Sequence, residues 1–188
     1  MQTHTPAYDE ALSLFKEFNQ SESLLKHAYT VEGVMRYMAQ KLGEDEERWG
    51  IVGLMHDLDY ERFPEQHCSK VREILEKRGW PEEYIRAIVS HGWGICSDVE
   101  PQTNLEKTLY TIDELTGLIT AVAIIRPSKS VADLEVKSVM KKWKDKSFAA
   151  GVNRPVIEKG TAILGVELRD LITDVIMGMR QVADRIGL

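Results

Sequence analysis

The sequence feature that most constrains this chain is a histidine–aspartate pair, His56-Asp57, inside the otherwise apolar stretch 53–58. Apolar residues precede the pair with a helical period, so we expect it near the C-terminal end of a buried helix. Two adjacent ionisable side chains in a core destabilise the fold unless each is paired, hydrogen-bonded or bound to a metal. Our hypothesis is that a divalent metal stabilises the pair and that other parts of the chain supply further ligands.

The apolar residues of the whole chain repeat with the period of helices, and the alternation typical of strands is scarce. Of the 188 residues, 43% are hydrophobic and 29% are charged, which is ordinary for one soluble globular domain with a substantial core. We therefore predict an all-α, single-domain helical bundle of about seven to nine helices spanning residues 1–188.

The formal charge of −6 argues against nucleic acid and anionic membranes as stable partners. Residues 1–6 lack the basic and apolar regions of a secretory signal, and the longest apolar run, 118–125, is too short to cross a bilayer. We expect a cytoplasmic protein with no membrane partner, in which Cys68 and Cys96 are free thiols. A homo-oligomer remains open.

Two ionisable residues fall on the inward faces of predicted helices. His27 shares a face with Val31, and Asp113 follows Leu109 by four residues in a long helix that Asn104 is expected to cap. A core histidine is usually just hydrogen-bonded, so His27 alone decides little. A buried aspartate in the middle of a helix requires a cation or several hydrogen-bond donors.

Four of the five histidines lie in the middle of the chain. With two aspartates they offer six nitrogen and oxygen donors, from His27, His56, Asp57, His67, His91 and Asp113. Such donors suit zinc, iron, manganese, nickel, cobalt or magnesium. The absence of cysteine ligands argues against a closed structural zinc site.

The order His27, then His56-Asp57, then Asp113 resembles the H…HD…D signature of the HD-domain superfamily of metal-dependent phosphohydrolases. The segment Gly-Leu-Met-His-Asp-Leu is similar to the HDIG-type variant of that signature. The resemblance covers roughly residues 20–125 and implies the all-α core of the family. We expect the C-terminal helices of residues 130–188 to pack on this core.

The resemblance implies a catalytic divalent metal ion bound by His27, His56, Asp57 and Asp113. Two-metal branches of the family carry further histidines between the HD pair and the last aspartate, which makes His67 and His91 candidates for a second ion. The site would then hold one or two ions. His67 could instead contact a phosphate or simply lie at a helix N-terminus.

The chain departs from the HDIG pattern at Asp59, where the pattern has glycine. We expect Asp59 to pair with Arg62 on the surface. The alternative is that Asp59 faces the site and accepts a hydrogen bond from a ligand histidine, which would fix the tautomer of that histidine.

The resemblance implies hydrolysis of a phosphate ester of a small molecule, which we expect to be a nucleotide. Asp57, His67, His91 and Lys70 are the expected catalytic residues. Lys70, together with Arg126 or Lys129, would hold the phosphoryl oxygens, the alternative being that all three are solvated surface charges. Glu114 is not assigned as a general base, because on a helix it points about 100° away from Asp113.

Two other functions are compatible with the same signature. Some HD-domain relatives hold two irons with six His and Asp ligands and oxidise a substrate with dioxygen. A non-catalytic protein that only senses a nucleotide is the second alternative.

Two segments outside the signature bear on the substrate. The loop between Gly92 and Asn104 is either a pocket wall or a simple surface connection. The basic segment 126–146 is either a solvated helix face or the lining for an anionic substrate.

Overall fold

The computed structural model describes residues 5–188, which form an all-α structure as predicted. The expectation that no secretory signal is present concerns residues 1–6, of which 1–4 lie outside the described residues. Ten α-helices and a short 3-10 helix at Pro64–Gln66 make up the described part of the chain. The α-helices are α1 (Tyr8–Phe18), α2 (Glu22–Leu42), α3 (Glu46–Met55), α4 (Ser69–Lys77), α5 (Glu82–Ser90), α6 (Asn104–Ile124), α7 (Val136–Trp143), α8 (Arg154–Leu164), α9 (Leu168–Gln181) and α10 (Ala183–Ile186).

Helices α2 and α3 form a tight antiparallel pair that sets the position of the HD segment. Gly43 ends α2 with a left-handed φ of 70°, and Asp45 caps α3 by accepting the N–H of Arg48 at 3.0 Å. The helices approach closely at Gly53, where a Cβ would lie 2.9 Å from the Cγ of Met35. This approach brings the end of α3 alongside the helix that carries His27.

Helix α6 lies at the centre of the fold and packs against α2, α5, α7, α8 and α9. Its N-cap is Thr103 rather than the expected Asn104. Thr103 accepts the backbone N–H of Glu106, and the Glu106 carboxylate accepts the N–H of Thr103, so the two residues form a capping box. Because neighbours surround α6 on several sides, most of its apolar residues are buried, and the Asp113 side chain is only 20% exposed.

The C-terminal helices pack on the core that α2 and α6 form. Helix α8 packs on α6, and α9 packs on α2 at Gly178, where a Cβ would lie 2.8 Å from the Cα of Val34. An ion pair of 2.7 Å between Lys41 and Asp174 also joins α2 to α9. Among residues 5–188, no helix is long and apolar enough to cross a membrane.

Cys68 and Cys96 are joined as a disulfide, so the expectation of two free thiols is wrong. Their Cα atoms are 6.0 Å apart, within the normal range for such a bond. Both sulfurs pack against Gly92, where any Cβ would collide with them. The close approach at this glycine links the start of α4 to the loop after α5, a tertiary contact that the sequence spacing does not reveal.

The close packing at Gly178 leads to a stability prediction with an internal control. Alanine at Gly178 should lower the free energy of unfolding by about 1–3 kcal/mol, because its Cβ would collide with the backbone of α2. Alanine at Gly117 in α6 has its nearest neighbour at 3.9 Å and should raise stability by up to about 1 kcal/mol through helix propensity. Urea unfolding followed by circular dichroism measures both. Equal effects of the two substitutions would contradict the packing of α9 on α2.

Candidate metal centre

Four of the six donors expected from the sequence meet at one point, where α2, α6 and the end of α3 converge. The Nε2 atoms of His27 and His56 are 3.2 Å apart, and Oδ1 of Asp113 lies 3.0 Å and 3.4 Å from them. Oδ2 of Asp57 lies 3.3 Å from Nε2 of His56 and 3.7 Å from Nε2 of His27. We call these four side chains the first donor cluster.

The remaining two histidines form a second donor cluster beside the first. The Nε2 atoms of His67 and His91 are 3.1 Å apart. Oδ1 of Asp57 lies 3.5 Å from Nε2 of His67 and 3.8 Å from Nε2 of His91. Asp57 therefore belongs to both clusters, with one carboxylate oxygen directed to each.

The chemistry and spacing of these donors fit divalent metal ions. Donors bound to one ion at about 2.1 Å stand roughly 3.0–3.5 Å apart in octahedral or tetrahedral arrangements. Most of the donor separations in both clusters fall in this range, and the widest, 3.7 Å in the first and 3.8 Å in the second, lie slightly beyond it. Cys68 also lies near His67 and His91, but its sulfur is bonded to Cys96. The donor set is thus imidazole and carboxylate, which could hold one ion or two.

Three of the histidines have their Nδ1 atoms occupied, which leaves Nε2 free to bind a metal. Nδ1 of His56 lies 2.7 Å from the carbonyl oxygen of Gly53, and Nδ1 of His91 lies 2.5 Å from that of Ile88. A carbonyl oxygen only accepts, so Nδ1 of both must carry the proton when the ring is neutral. Nδ1 of His67 lies 2.7 Å from Oδ1 of Asp59. These bonds fix the tautomers that metal-binding histidines need.

The HD pair lies after α3, not within it, so its expected place on the helix is wrong. The helix ends at Met55, and His56-Asp57 opens a series of turns in which Leu58 N–H bonds to the carbonyl of Met55. Nδ1 of His56 is hydrogen-bonded to the carbonyl oxygen of Gly53. That oxygen would accept the N–H of Asp57 if the helix continued. Both adjacent side chains face the same site from this point, although His56 itself keeps helical φ and ψ of −57° and −39°.

Asp59 is fully buried and does not pair with Arg62, so the surface ion pair expected from the sequence is wrong. One carboxylate oxygen faces Nδ1 of His67, and the other accepts the N–H of Val71 in α4 at 2.7 Å. Arg62 instead donates to the carbonyl of Glu17. The turns after α3 direct Asp59 inward, where it orients a histidine of the second cluster.

The two aspartates and the buried histidines shift one another's pKa values. Burial alone would lower the pKa of His56, but Asp57 and Asp113 raise it well above its ordinary value. Burial would raise the pKa values of both aspartates, but His56 lowers them strongly. Burial, with the charge on His56, lowers the pKa of His91 to about 4. Without a metal, His56 therefore holds a proton that an incoming ion must displace.

The two clusters open into a cavity of about 360 Å³. Besides the donors, its lining includes Tyr60, Tyr110, Glu114 and Val156. Glu114 was set aside on helical geometry, yet its Oε2 accepts the N–H of Asn153 at 2.9 Å within the cavity wall. Burial raises the pKa of Glu114. The sequence offered no signal for the tyrosines, because chain folding alone brings them to the cavity.

The basic residues expected near a phosphate are not among those that line the cavity in the described chain. Lys70 forms an ion pair of 2.7 Å with Glu73 and lies over the ring of Phe63. Arg126 pairs with Asp133 at 2.7 Å. Lys129 and the lysines of segment 126–146 are likewise absent from the lining, so a solvated face describes that segment better than a substrate lining.

The loop after α5 forms part of the cavity wall. Gly92, Ile95 and Cys96 line the cavity, whereas Trp93 packs against Tyr110 with 5.7 Å between ring centroids. The disulfide of Cys96 holds this loop next to His67. Of the two interpretations left open for the loop, the pocket wall is the one that the structure supports.

The fold and the site define an all-α protein with clustered histidine and aspartate donors in one cavity. The sequence pattern of the HD domain matches residues 24–118, half of the chain, so the protein belongs to the HD-domain family. This confirms the resemblance found in the sequence. The family is known for divalent-metal binding and, in general, for metal-dependent phosphohydrolase activity.

Two curated relatives extend this comparison. The chain is 25% identical to a tRNA (cytidine(56)-2′-O)-methyltransferase of Picrophilus torridus over 91% of its own length and 51% of that protein. It is 30% identical to a ribonuclease Y of Oleidesulfovibrio alaskensis over 52% of its own length and 18% of that protein. The chain thus spans about half of the first relative and under a fifth of the second. No solved structure matches it.

The lowered pKa of His91 predicts how the metal-free protein responds to acid. In the unfolded chain this histidine titrates near its ordinary 6.5, and in the folded protein near 4. Between these values only the unfolded state binds the proton, so stability falls as pH decreases through that window, by roughly 3 kcal/mol at most. Thermal unfolding in a chelator from pH 4 to 7 measures this.

The His91→Gln variant isolates this contribution. It should lose part of the acid-induced decrease in melting temperature while keeping the part due to carboxylates elsewhere. If the melting temperatures of the wild type and the variant change in parallel from pH 4 to 6.5, the neutral state assigned to His91 is incorrect.

Proposed function

We propose that this protein is a metal-dependent phosphohydrolase that cleaves a phosphate ester of a small molecule, in particular a nucleotide. The observation that carries the proposal is the carboxylate of Asp57, which faces two groups of histidine Nε2 atoms at the base of a cavity. The family to which the chain belongs supports the same class of reaction. A small phosphorylated substrate suits a cavity of about 360 Å³.

In this proposal the first cluster holds one divalent ion and the second cluster, with Asp57, holds another. Manganese, iron, nickel, cobalt, zinc and magnesium all accept such donors. A bound divalent ion supplies a lowered pKa for water and positive charge for the phosphoryl oxygens. The chain itself keeps the histidines in their metal-binding tautomers through Gly53, Ile88 and Asp59. Its contribution is therefore to fix the donors before the substrate arrives.

The central test is the dependence of phosphate release on Asp57. The purified protein, loaded in turn with manganese, nickel, cobalt and magnesium, is assayed with p-nitrophenyl phosphate and the nucleoside monophosphates. Asp57→Asn should lower kcat/KM by about a hundredfold or more, because it removes the charge shared by both clusters. The exposed Asp98→Asn makes the same chemical change away from the cavity and should keep wild-type activity. If no metal supports turnover that depends on Asp57, the protein is not a phosphohydrolase for these substrates.

The two clusters also predict the number of bound ions. Metal analysis of the protein as purified should give two ions per chain. His67→Gln should reduce this to one, because it removes a donor of the second cluster and leaves the first intact. His27→Gln should affect the first cluster instead. Anomalous scattering from crystals of each variant would identify which position is lost, and retention of both ions in His67→Gln would contradict the assignment.

A second candidate function is a diiron oxygenase. The observation in its favour is the full set of six His and Asp donors with a shared carboxylate. Iron-loaded protein that consumes dioxygen with a substrate, and releases no phosphate, would support it. Binding of a nucleotide without either reaction would support the nucleotide-sensing alternative.

RNA enters as a further substrate class, because both relatives carry names that refer to RNA. We propose that a small phosphorylated molecule is the substrate and that neither nucleic acid nor a membrane is a stable partner, in keeping with the charge of −6. A short single-stranded RNA in the same assay, with and without Asp57→Asn, separates the two substrate classes. Size-exclusion chromatography with light scattering tests the homo-oligomer.

A further inference from the structure

The cavity has an unusual charge distribution for a phosphate site. Apart from the metal donors, its only charged lining side chain among residues 5–188 is Glu114. The rest of its surface comes from Tyr60, Tyr110, Ile95, Cys96 and Val156 and from glycines. Any positive charge for a substrate phosphate must therefore come from bound metal at the clusters, because no lysine or arginine in this part of the chain lines the cavity.

Two basic side chains of α8, the helix that carries the lining residue Val156, are engaged in other contacts. Arg154 donates to backbone carbonyls, including those of Trp143 and Phe148. The Nζ of Lys159 lies 3.2 Å from the ring centroid of Trp93. These groups fix the polypeptide around the cavity. They give no cationic subsite for a second anionic group of a substrate.

Glu114 is held in a defined orientation with one oxygen left over. Its Oε2 accepts the N–H of Asn153 at 2.9 Å, and no described residue donates a hydrogen bond to its Oε1. An ionised carboxylate only accepts hydrogen bonds, so Oε1 suits a hydroxyl or amine donor of a ligand. The same charge repels an anion placed nearby, and this repulsion is strong in a partly buried site.

We infer that Glu114 is a specificity-determining residue, which selects phosphomonoesters whose remaining part is uncharged and offers a hydroxyl or amine to its carboxylate. This inference rests on the proposed function, since the clusters must hold the phosphoryl group. The cavity of about 360 Å³ is at the low end of the range for small-molecule sites. A second phosphoryl or carboxyl group on the substrate would lie near Glu114 without a compensating cation.

Three adenosine probes that share a 5′-phosphate test the inference on the manganese-loaded protein. Adenosine 5′-monophosphate carries ribose hydroxyls, the 2′,3′-dideoxy analogue lacks them, and adenosine 3′,5′-bisphosphate replaces one with a second anion. Calorimetric Kd values and steady-state kcat and KM are measured for each probe. In the wild type, loss of the hydroxyls and addition of the phosphate should each weaken binding by about tenfold.

The variant Glu114→Gln keeps the bond to Asn153 through its amide oxygen and removes the charge. Two ratios are compared: the Kd of the dideoxy analogue to that of the monophosphate, and the Kd of the bisphosphate to that of the monophosphate. The variant should bring both ratios to within about threefold of unity, chiefly by weakening the binding of the monophosphate and strengthening the binding of the bisphosphate. If Glu114 had a purely structural role, the substitution would change the Kd values of all three probes by the same factor. The exposed Glu158→Gln on α8 makes the same change outside the cavity and should leave both ratios at their wild-type values.

The outcomes separate this inference from the proposed function. If the probes bind with the expected ratios but no phosphate is released, the specificity assigned to Glu114 stands and hydrolysis of these nucleotides does not. If phosphate is released but Glu114→Gln leaves both ratios unchanged, hydrolysis stands and the inference is overturned. Wild-type protein that binds the bisphosphate as tightly as the monophosphate, or binds none of the probes, also overturns it.

Discussion

The shared carboxylate of Asp57 is the interaction on which the rest of the site depends. Its two oxygens face different clusters, so neither cluster is complete without it. It follows directly after His56, the C-cap residue of α3, whose side chain faces the same site. The close packing of α3 on α2 at Gly53 then places this turn beside His27. A buried charge pair that would destabilise an ordinary core is thus compensated by His27 on α2, by Asp113 on α6 and by the histidines of the second cluster.

Two of the histidines are oriented by the same local arrangement at the end of a helix. His56 follows the end of α3 and His91 follows the end of α5, and each directs Nδ1 to the carbonyl three residues earlier. The last carbonyls of a helix lack intrahelical partners, so a histidine at the C-cap satisfies one of them and gains a fixed tautomer. His67 follows a short 3-10 helix and relies instead on Asp59, a side chain held by the N–H of Val71. Helix ends, rather than helix faces, therefore supply three of the four histidines.

The sequence was enough to predict the all-α class and the order of the donors, because helical periodicity and an isolated polar pair in an apolar segment are local signals. Prediction from the sequence failed where a side chain replaces a backbone hydrogen-bond donor, and where segments distant in the sequence meet at the site. His56-Asp57 was placed within a helix because periodicity does not reveal that the His56 ring takes the carbonyl of Gly53. Asp59 was assigned to the surface because periodicity likewise does not reveal that its carboxylate faces His67 and accepts the N–H of Val71. The pairing of Cys68 with Cys96 and the entry of Glu114 into the cavity depend on tertiary contacts that no local pattern contains.

No lysine or arginine of residues 5–188 lines the cavity, so under the proposed function the carboxylates at the site decide how many divalent ions are needed to attract a phosphate. The clusters contain two carboxylates, Asp57 and Asp113, whose pKa values are lowered so that both are ionised at neutral pH. With the carboxylates of Glu114 and Asp59 also at the site, one divalent ion would leave it net negative and repulsive to a phosphate dianion. Two divalent ions would balance the four carboxylates, so the proposed phosphohydrolase would need both ions. Lys70 and Arg126 form their ion pairs outside the cavity lining, so under the proposed function the ion in the second cluster, whose His67 is oriented by Asp59, supplies the positive charge that these side chains do not.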